Sequence, residues 1–369
     1  MPERHGWNEL RGMFLAFDED QGPQVPMYGR ICRAAAEDPE VIELLAVAPP
    51  GQRRPILLLA ALHDLVLEHP EVPAGRWFPS VTRRPVPSGD PWPDVRATLL
   101  EHADRIRRVV STRATQTNEV GRSALWSVAV PWAASDVDAP VAIVELGTSA
   151  GLNLRFDDYH LDVVDRRPGA DGEVVEVRGP ADSTVRLEVV LRHGALPEQP
   201  TPRIVDRVGV DLDPVDLRDP VRRRWLRACL WPEQLERFAR FDAAVDRFLR
   251  DRPRIVRGDA VDEIADAVES VPADAHVVVM WSWFLTYLRR DRRAALDSAL
   301  DLVGRHRPIT LLSAEAPGVH AAFDDPGLPG DDPAEFRTVV GASRWRDGER
   351  HDAVIARCHH HVQWLDWLA

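Results

Sequence analysis

The segment Val141–Gly147, VAIVELG, constrains this chain more than any other. A short, continuous run of β-branched and aliphatic residues has no solvent-facing side. It must be covered on both faces, as parallel strands beneath helical crossovers are. The run leads into Thr148-Ser-Ala-Gly151-Leu-Asn-Leu, a tight turn entering a helix. Glycine at 147 permits a sharp bend off the strand. Glycine at 151 lets the next helix pack closely and leaves room for a ligand. A chain built around this unit is expected to be α/β.

The flanking sequence sets the organisation. Residues 1–138 read as an all-helical N-terminal domain. Asp38-Pro39 caps and opens one helix, and Pro55 opens another, PILLLAALHDLVLEH, apolar on nearly every face and so expected to be buried. His63 within it is expected to be a core histidine bonded to a neighbouring carbonyl. Residues 139–369 then alternate. YHLDVV, EVVEV and TVRLEVVL suggest a small antiparallel insertion over about residues 159–205. RVGVDLDPVDL follows, then a helix from about Val221 to Arg250, RIVRGDA, and a helix from Val261 to Val271. AHVVVMWSW, a helix near Arg289–Gly304 and PITLLSAEA continue the pattern. EFRTVVGASRW and HDAVIARCHHHVQWL close it as an antiparallel pair. Parallel strands with helical crossovers predict a Rossmann-like doubly wound sheet.

Composition narrows the partners. The 369 residues are 44% hydrophobic, enough for one large domain or two ordinary ones, and the net charge is −13. That charge argues against a nucleic-acid partner, and the Arg222-Arg223-Arg224 cluster is expected to be a solvated helix face. Cys32, Cys229 and Cys358 are too scattered for a disulfide framework or a paired metal motif, which fits a reducing cytoplasm. The opening MPERHGWNELRG lacks an apolar signal core, and Ile56–Leu62 is too short to span a bilayer. A cytoplasmic protein with a small-molecule substrate and no membrane partner is expected.

Chemistry in such a sheet collects at the carboxyl ends of the strands. Asp211 and Asp213 follow the second parallel strand, where an acceptor-only carboxylate suits the ribose diol of a nucleotide cofactor. Gly258-Asp259-Ala260 follows the third, placing a carboxylate for an adenine amino group. Upstream, QTNEVGR leads into the helix that feeds Val141. Thr117 or Asn118 can cap that helix. Its start is equally expected beside the crevice, with Gln116, Asn118 and Arg122 as candidate substrate-binding residues and Glu119 as a candidate base.

In order, ELGTSAG, GVDLDP, RGDA, VVVMWSW and LLSAEA resemble the successive motifs of class I S-adenosylmethionine-dependent methyltransferases. The resemblance implies that fold type, and S-adenosylmethionine as cofactor. Glu145, Gly147 and Gly151 would form the cofactor loop, with Thr148, Ser149 and Asn153 beside them. Asp211 or Asp213 would hold the ribose, and Gly258, Asp259 and Ala260 the adenine side. Trp281 and Ser282 would border the cofactor, and Trp281 to Trp283 would begin the substrate site. Ser149 stands where that family often has a middle glycine. No Pro-Pro-Tyr/Phe follows the fourth strand, which points away from nucleic-acid or glutamine amino nitrogens as acceptors. Over nearly its full length the chain also resembles a bacterial family, domain of unknown function 2332, through QTNEVGR, ELGTSAGLNL, GVDLDPVDL, WPEQ and RGDA. That likeness implies no activity.

Other readings stay open. Gly147-Thr-Ser149-Ala-Gly151 also satisfies the G-x-S-x-G nucleophile elbow of serine hydrolases, with Asp259 or Glu315 and His351, His359 or His360 downstream. Against it, the preceding 140 or so residues read as helix, and Glu145 would oppose an oxyanion. A dinucleotide oxidoreductase would want the missing middle glycine. A non-catalytic sensor of the cofactor would carry the same loops. Cys358-His359-His360-His361 invites a metal. Read as a strand, though, its side chains alternate between faces, so no metal site is expected.

Overall fold

The computed structural model describes residues 4–332, 335–346 and 348–369. They form an α/β protein with one large mixed sheet. No helix among them is long and apolar enough to cross a membrane. The chain divides into two compact units: Met1–Thr117 with Asp216–Phe241, and Asn118–Val215 with Asp242–Ala369. This differs from the split expected at residue 138. The helix Ser123–Ala133 is buried along almost its whole length and packs on the sheet, so it belongs to the sheet-bearing unit. Asp216–Phe241 joins the helical unit, where Trp225 and Ala228 enter its core.

In the helical unit, local signals act as expected. The Asp38 side chain accepts from the amides of Glu40 and Val41 at the start of Pro39–Glu43. The helix Pro55–Glu68 is buried on nearly all sides. His63 is fully buried, with Nδ1 3.0 Å from the Ala228 carbonyl and Nε2 2.8 Å from Ser80 Oγ. Burial lowers its pKa to about 3. Asp64 beside it accepts from Arg224 at 2.9 Å and Arg105 at 3.2 Å. The single helix expected over 221–250 is instead two, Pro220–Ala228 and Leu235–Arg250. Pro232 lies between them, and proline cannot supply the amide that a continuous helix needs.

Among the described residues the sheet-bearing unit holds eleven strands. They are β1 (Val141–Leu146), β2 (His160–Asp165), β3 (Val174–Arg178), β4 (Arg186–His193), β5 (Ile204–Asp211) and β6 (Arg254–Arg257), then β7 (His276–Ser282), β8 (Ile309–Glu315), β9 (Thr338–Arg346), β10 (Glu349–Cys358) and β11 (Trp364–Trp367). Their spatial order is β3-β2-β4-β11-β10-β9-β8-β7-β1-β5-β6. From β6 to β8 every pairing is parallel. β9 is antiparallel to both β8 and β10, so β10 runs with the parallel block. The expected antiparallel insertion is corrected. Only β2–β3 is antiparallel, β2–β4 is parallel, and β4 joins the main sheet through β11. One buried carboxylate fastens that junction: Asp366 on β11 accepts from Arg357 on β10 at 3.1 Å and from Arg192 on β4 at 3.2 Å.

One face of β1, β5 and β7 presents Ala142, Val144, Leu146, Val208, Val210, Val277 and Val279. Against it lie Ile264 from the helix Ala260–Glu269 and Leu296 and Leu300 from the helix Arg290–His306. Each fully buried Val, Leu or Ile contributes about 1.5–3 kcal/mol relative to exposure. This face makes β1 a rigid base for the loop that follows. Because β1, β5, β6, β7, β8 and β10 point the same way, Leu146, Asp211, Arg257, Ser282, Glu315 and Cys358 all end on one edge.

Candidate functional site at the carboxyl edge

β1 lies between β5 and β7, so the chain builds outward from it in both directions. The bend after Leu146 alternates left-handed residues: Gly147 at φ +68°, Ser149 at +54° and Gly151 at +78°. Glycine at 147 is required by more than its torsion, because a Cβ there would fall 2.5 Å from the Phe284 ring. The Gly147 amide donates to the Val210 carbonyl at 2.8 Å, tying the bend to β5. The Ser149 amide donates to Asp211 Oδ2 at 2.8 Å, and its carbonyl accepts from the Val215 amide at 3.0 Å. Asp211 therefore faces the bend, and its Oδ1 accepts from the Asp213 amide at 2.9 Å.

Beneath the bend lies a buried polar group. Glu145 is 3% exposed and accepts from Thr148 Oγ1 at 2.5 Å and from the Asn153 side chain. Asn153 Oδ1 in turn accepts from Ser123 Oγ at 2.8 Å. Burial raises the Glu145 pKa to about 8, with the Asp211 charge adding to the effect and Arg122 opposing it. Gly209, level with Glu145 on β5, makes this possible, since a Cβ there would meet Thr148 Cγ2 at 2.6 Å. Its role went unread in the sequence. A glycine inside an apolar strand is the available signal for such a close approach. Ser149 Oγ is buried and has no hydrogen-bond partner. Among the described residues no histidine hydrogen-bonds to it, whereas a nucleophile elbow needs its serine against such a base.

The segment before the helix Ser123–Ala133 reaches the same place. Asn118 does not cap its own helix. Its Oδ1 accepts from the Leu152 amide at 3.1 Å, joining the segment to the turn that follows Gly151. Glu119 caps the short 3-10 turn Val120–Arg122 that leads into the helix, accepting from the Gly121 amide at 2.9 Å. Arg122 is largely buried, with Nη1 3.4 Å from both the carbonyl and the hydroxyl of Ser282, and Nε donating to the His360 carbonyl at 3.2 Å. After β7, Trp283 adopts φ +55° and donates from Nε1 to Thr338 Oγ1 at 3.2 Å. Glu315, at the end of β8, accepts from the amides of Phe284 and Leu285, both at 2.7 Å. Burial lifts its pKa to about 7. Glu315 fixes the loop that carries Trp283 and Phe284, a role the sequence reading missed.

The expected strand HDAVIARCHHHVQWL is also corrected. β10 ends at Cys358, a turn occupies residues 359–363, and β11 starts at Trp364. The Val362 amide closes the turn on the His359 carbonyl at 2.7 Å, with Val362 at φ +57°. Three of the four non-glycine residues with positive φ among those described, Ser149, Trp283 and Val362, thus lie on or just beyond this edge. Left-handed torsions in bulky residues persist where surrounding structure forces them, and they concentrate at functional sites.

Other expected site residues are not gathered here. Asp213 is exposed and paired with Arg257 at 2.8 Å. Gly258 donates its amide to the Asp211 carbonyl at 3.0 Å. Asp259 caps the helix Ala260–Glu269 and pairs with Arg292 at 2.6 Å, while Ala260 and Trp281 are core residues. Gln116 belongs to the helical unit.

An α/β protein with a strained, polar carboxyl edge on a mixed sheet is the class these features define. The chain belongs to a family described as an uncharacterized protein conserved in bacteria, domain of unknown function 2332, whose model matches residues 13–367. No curated protein matches the chain.

Proposed function

We propose that the carboxyl edge binds S-adenosylmethionine and that the protein transfers its methyl group to a small molecule. The observation that carries this reading is Asp211 docked on the left-handed bend at the centre of a parallel block ordered β6-β5-β1-β7-β8. Numbered by sequence within that block, the order is 3-2-1-4-5, as in doubly wound nucleotide-binding sheets, in which ligands lie outside the carboxyl ends where the winding reverses.

The residues fit such a ligand. Each Asp211 oxygen accepts one backbone amide, which leaves a lone pair on each for a ribose diol. Ser149 Oγ is a buried polar atom that a bound ligand would satisfy. Gly147, Thr148 and Gly151 form the bend, and the Phe284 ring on Gly147 sets how much of it is reachable. Glu145 and Asn153 support it from below, and Glu145 keeps its proton up to about pH 8. Asp259 and Asp213 would have to release arginine partners to take part, so the adenine and ribose roles fall mainly to the bend and Asp211.

When bound, the cofactor supplies an electrophilic methyl on a sulfonium. Arg122 and Ser282 would orient the acceptor, with Asn118 holding the floor of the site. Glu119 is the candidate base. Such a transfer gains chiefly from positioning and exclusion of water. Net charge of −13 favours a small acceptor over a nucleic acid.

Calorimetric titration of the full chain with S-adenosylmethionine and S-adenosylhomocysteine tests the reading. Saturable binding lost in Asp211→Ala and unchanged in Asp213→Ala is expected. Absence of both heat and thermal stabilisation overturns it. Methylated product from a metabolite mixture separates an enzyme from a cofactor sensor.

A further inference from the structure

We propose that His359, His360 and His361 form a binding site for a divalent transition metal of the zinc class. One imidazole nitrogen from each of the three residues lies within 4.8 Å of the other two, and all three residues are half-buried rather than enclosed. Adjacent residues in a strand could not converge in this way. The turn between β10 and β11 makes the convergence possible, bringing ring centroids to 4.0 Å for His359 and His360 and 4.1 Å for His360 and His361.

The turn is held in shape from several sides. Val362, a β-branched residue at φ +57°, closes it, and its side chain is buried. The His359 amide donates to the Trp364 carbonyl at 3.2 Å, and Arg122 grips the His360 carbonyl. Trp283 and Phe336 stand edge-on to His360, with centroids at 6.4 and 5.5 Å. A strained turn that clusters three imidazoles has an energetic cost, and a metal ion is the ligand that three imidazoles serve best.

Zinc–nitrogen bonds of about 2.0–2.1 Å in tetrahedral geometry place ligand nitrogens roughly 3.3 Å apart. The rings must therefore close by at most about 1.5 Å, within reach of side-chain rotation. His359 Nδ1 accepts from the His361 amide at 3.2 Å, a long bond that competes with ligation and is given up if Nδ1 is the ligating atom. Three protein nitrogens leave a coordination position open, as catalytic zinc sites do. Water or an anionic oxygen donor suits that open position. Cys358 ends β10 with its side chain buried, so the ligand set is the three histidines. This site stands independently of S-adenosylmethionine binding.

The test is zinc titration of tag-free full-length protein by calorimetry, with cobalt(II) absorption as a second readout. One ion per chain is expected, with a tetrahedral cobalt spectrum. His359→Ala, His360→Ala and His361→Ala should each weaken binding at least about tenfold, the low end of losing even an outer partner of a metal site. Their metal-free melting temperatures should stay close to that of the wild type. His306→Ala, at an exposed histidine of another element, should bind as the wild type does. Failure to bind zinc or cobalt, or binding that survives all three single variants, overturns the proposal.

Discussion

Two buried titratable residues, one in each unit, show how differently this chain uses polarity. His63 in the helical unit has partners for both ring nitrogens and is ringed by Phe78 and Phe238. Glu145 on β1 is as deeply buried but sits under a left-handed bend, beside a second carboxylate and near a hydroxyl with no partner. Both pKa values move toward the neutral form for the same reason, loss of hydration. What separates them is completeness. Around His63 the donors and acceptors are matched, as in a structural core. Around the bend they are not, and unmatched buried groups persist where a ligand completes them.

The sharpest way to break this contrast is at the bend itself. Gly147→Val would place a β-branched residue at φ +68° with its Cβ 2.5 Å from the Phe284 ring. A loss of roughly 2–5 kcal/mol is expected from left-handed strain and overpacking together, together with loss of cofactor heat. Unchanged stability in a chemical-denaturation curve would mean that the bend is not the rigid element described. His63→Ala should cost roughly 2–4 kcal/mol, through a cavity and the stranding of Ser80 Oγ and the Ala228 carbonyl. It should leave ligand titrations unchanged. A His63 variant that keeps its stability but loses binding would erase the distinction between the two units.

How much of this was legible in sequence depended on how local the cause was. VAIVELG, the Asp38 cap and the buried Pro55 helix carry their own instructions, and each formed as expected. Pro232 was an equally local signal, overlooked within a long amphipathic run. The helix after Asp259 was expected, but D-A-V-D-E, an acid followed by acids in the first turn, also marks Asp259 as its cap rather than a ligand contact. The partner of β4 could not be read, because β11 lies more than 160 residues away and nothing in either segment encodes the other. The histidine turn was hidden for a related reason. No glycine, asparagine or proline marks it, and Val362 is held left-handed only by its surroundings. Gly209 was visible, but its meaning depends on Thr148 folding back over it.

Glu145→Gln sharpens the contrast through pH. The native state holds the Glu145 proton up to about pH 8, whereas the unfolded chain releases it near the ordinary glutamate value of 4.5. Between those values the folded form binds more protons, so stability must fall as pH rises through that window and level off above pH 8. From pH 6 to pH 8 this amounts to about 2 kcal/mol. The glutamine variant, which cannot titrate, should lose that slope while retaining the Thr148 contact. Denaturation midpoints at pH 6 and pH 8 measure it. An identical slope in both proteins would place the titration elsewhere.

The smallest expected effect is at Ser149, and it tests what an unmatched group is for. Ser149→Gly relieves a φ of +54°, a strain of about 1–2 kcal/mol for a residue with a Cβ, and returns part of that gain through the more flexible unfolded chain. A net stabilisation of up to about 1 kcal/mol is expected. Ser149→Ala keeps the strain and removes only the hydroxyl, which has no protein partner to lose, so its stability should match the wild type or slightly exceed it. Both variants should weaken cofactor binding by a similar factor, because both delete the same oxygen. If Ser149→Ala instead destabilises by more than about 1 kcal/mol, the hydroxyl is matched as fully as His63, and the bend is a structural turn rather than a ligand site.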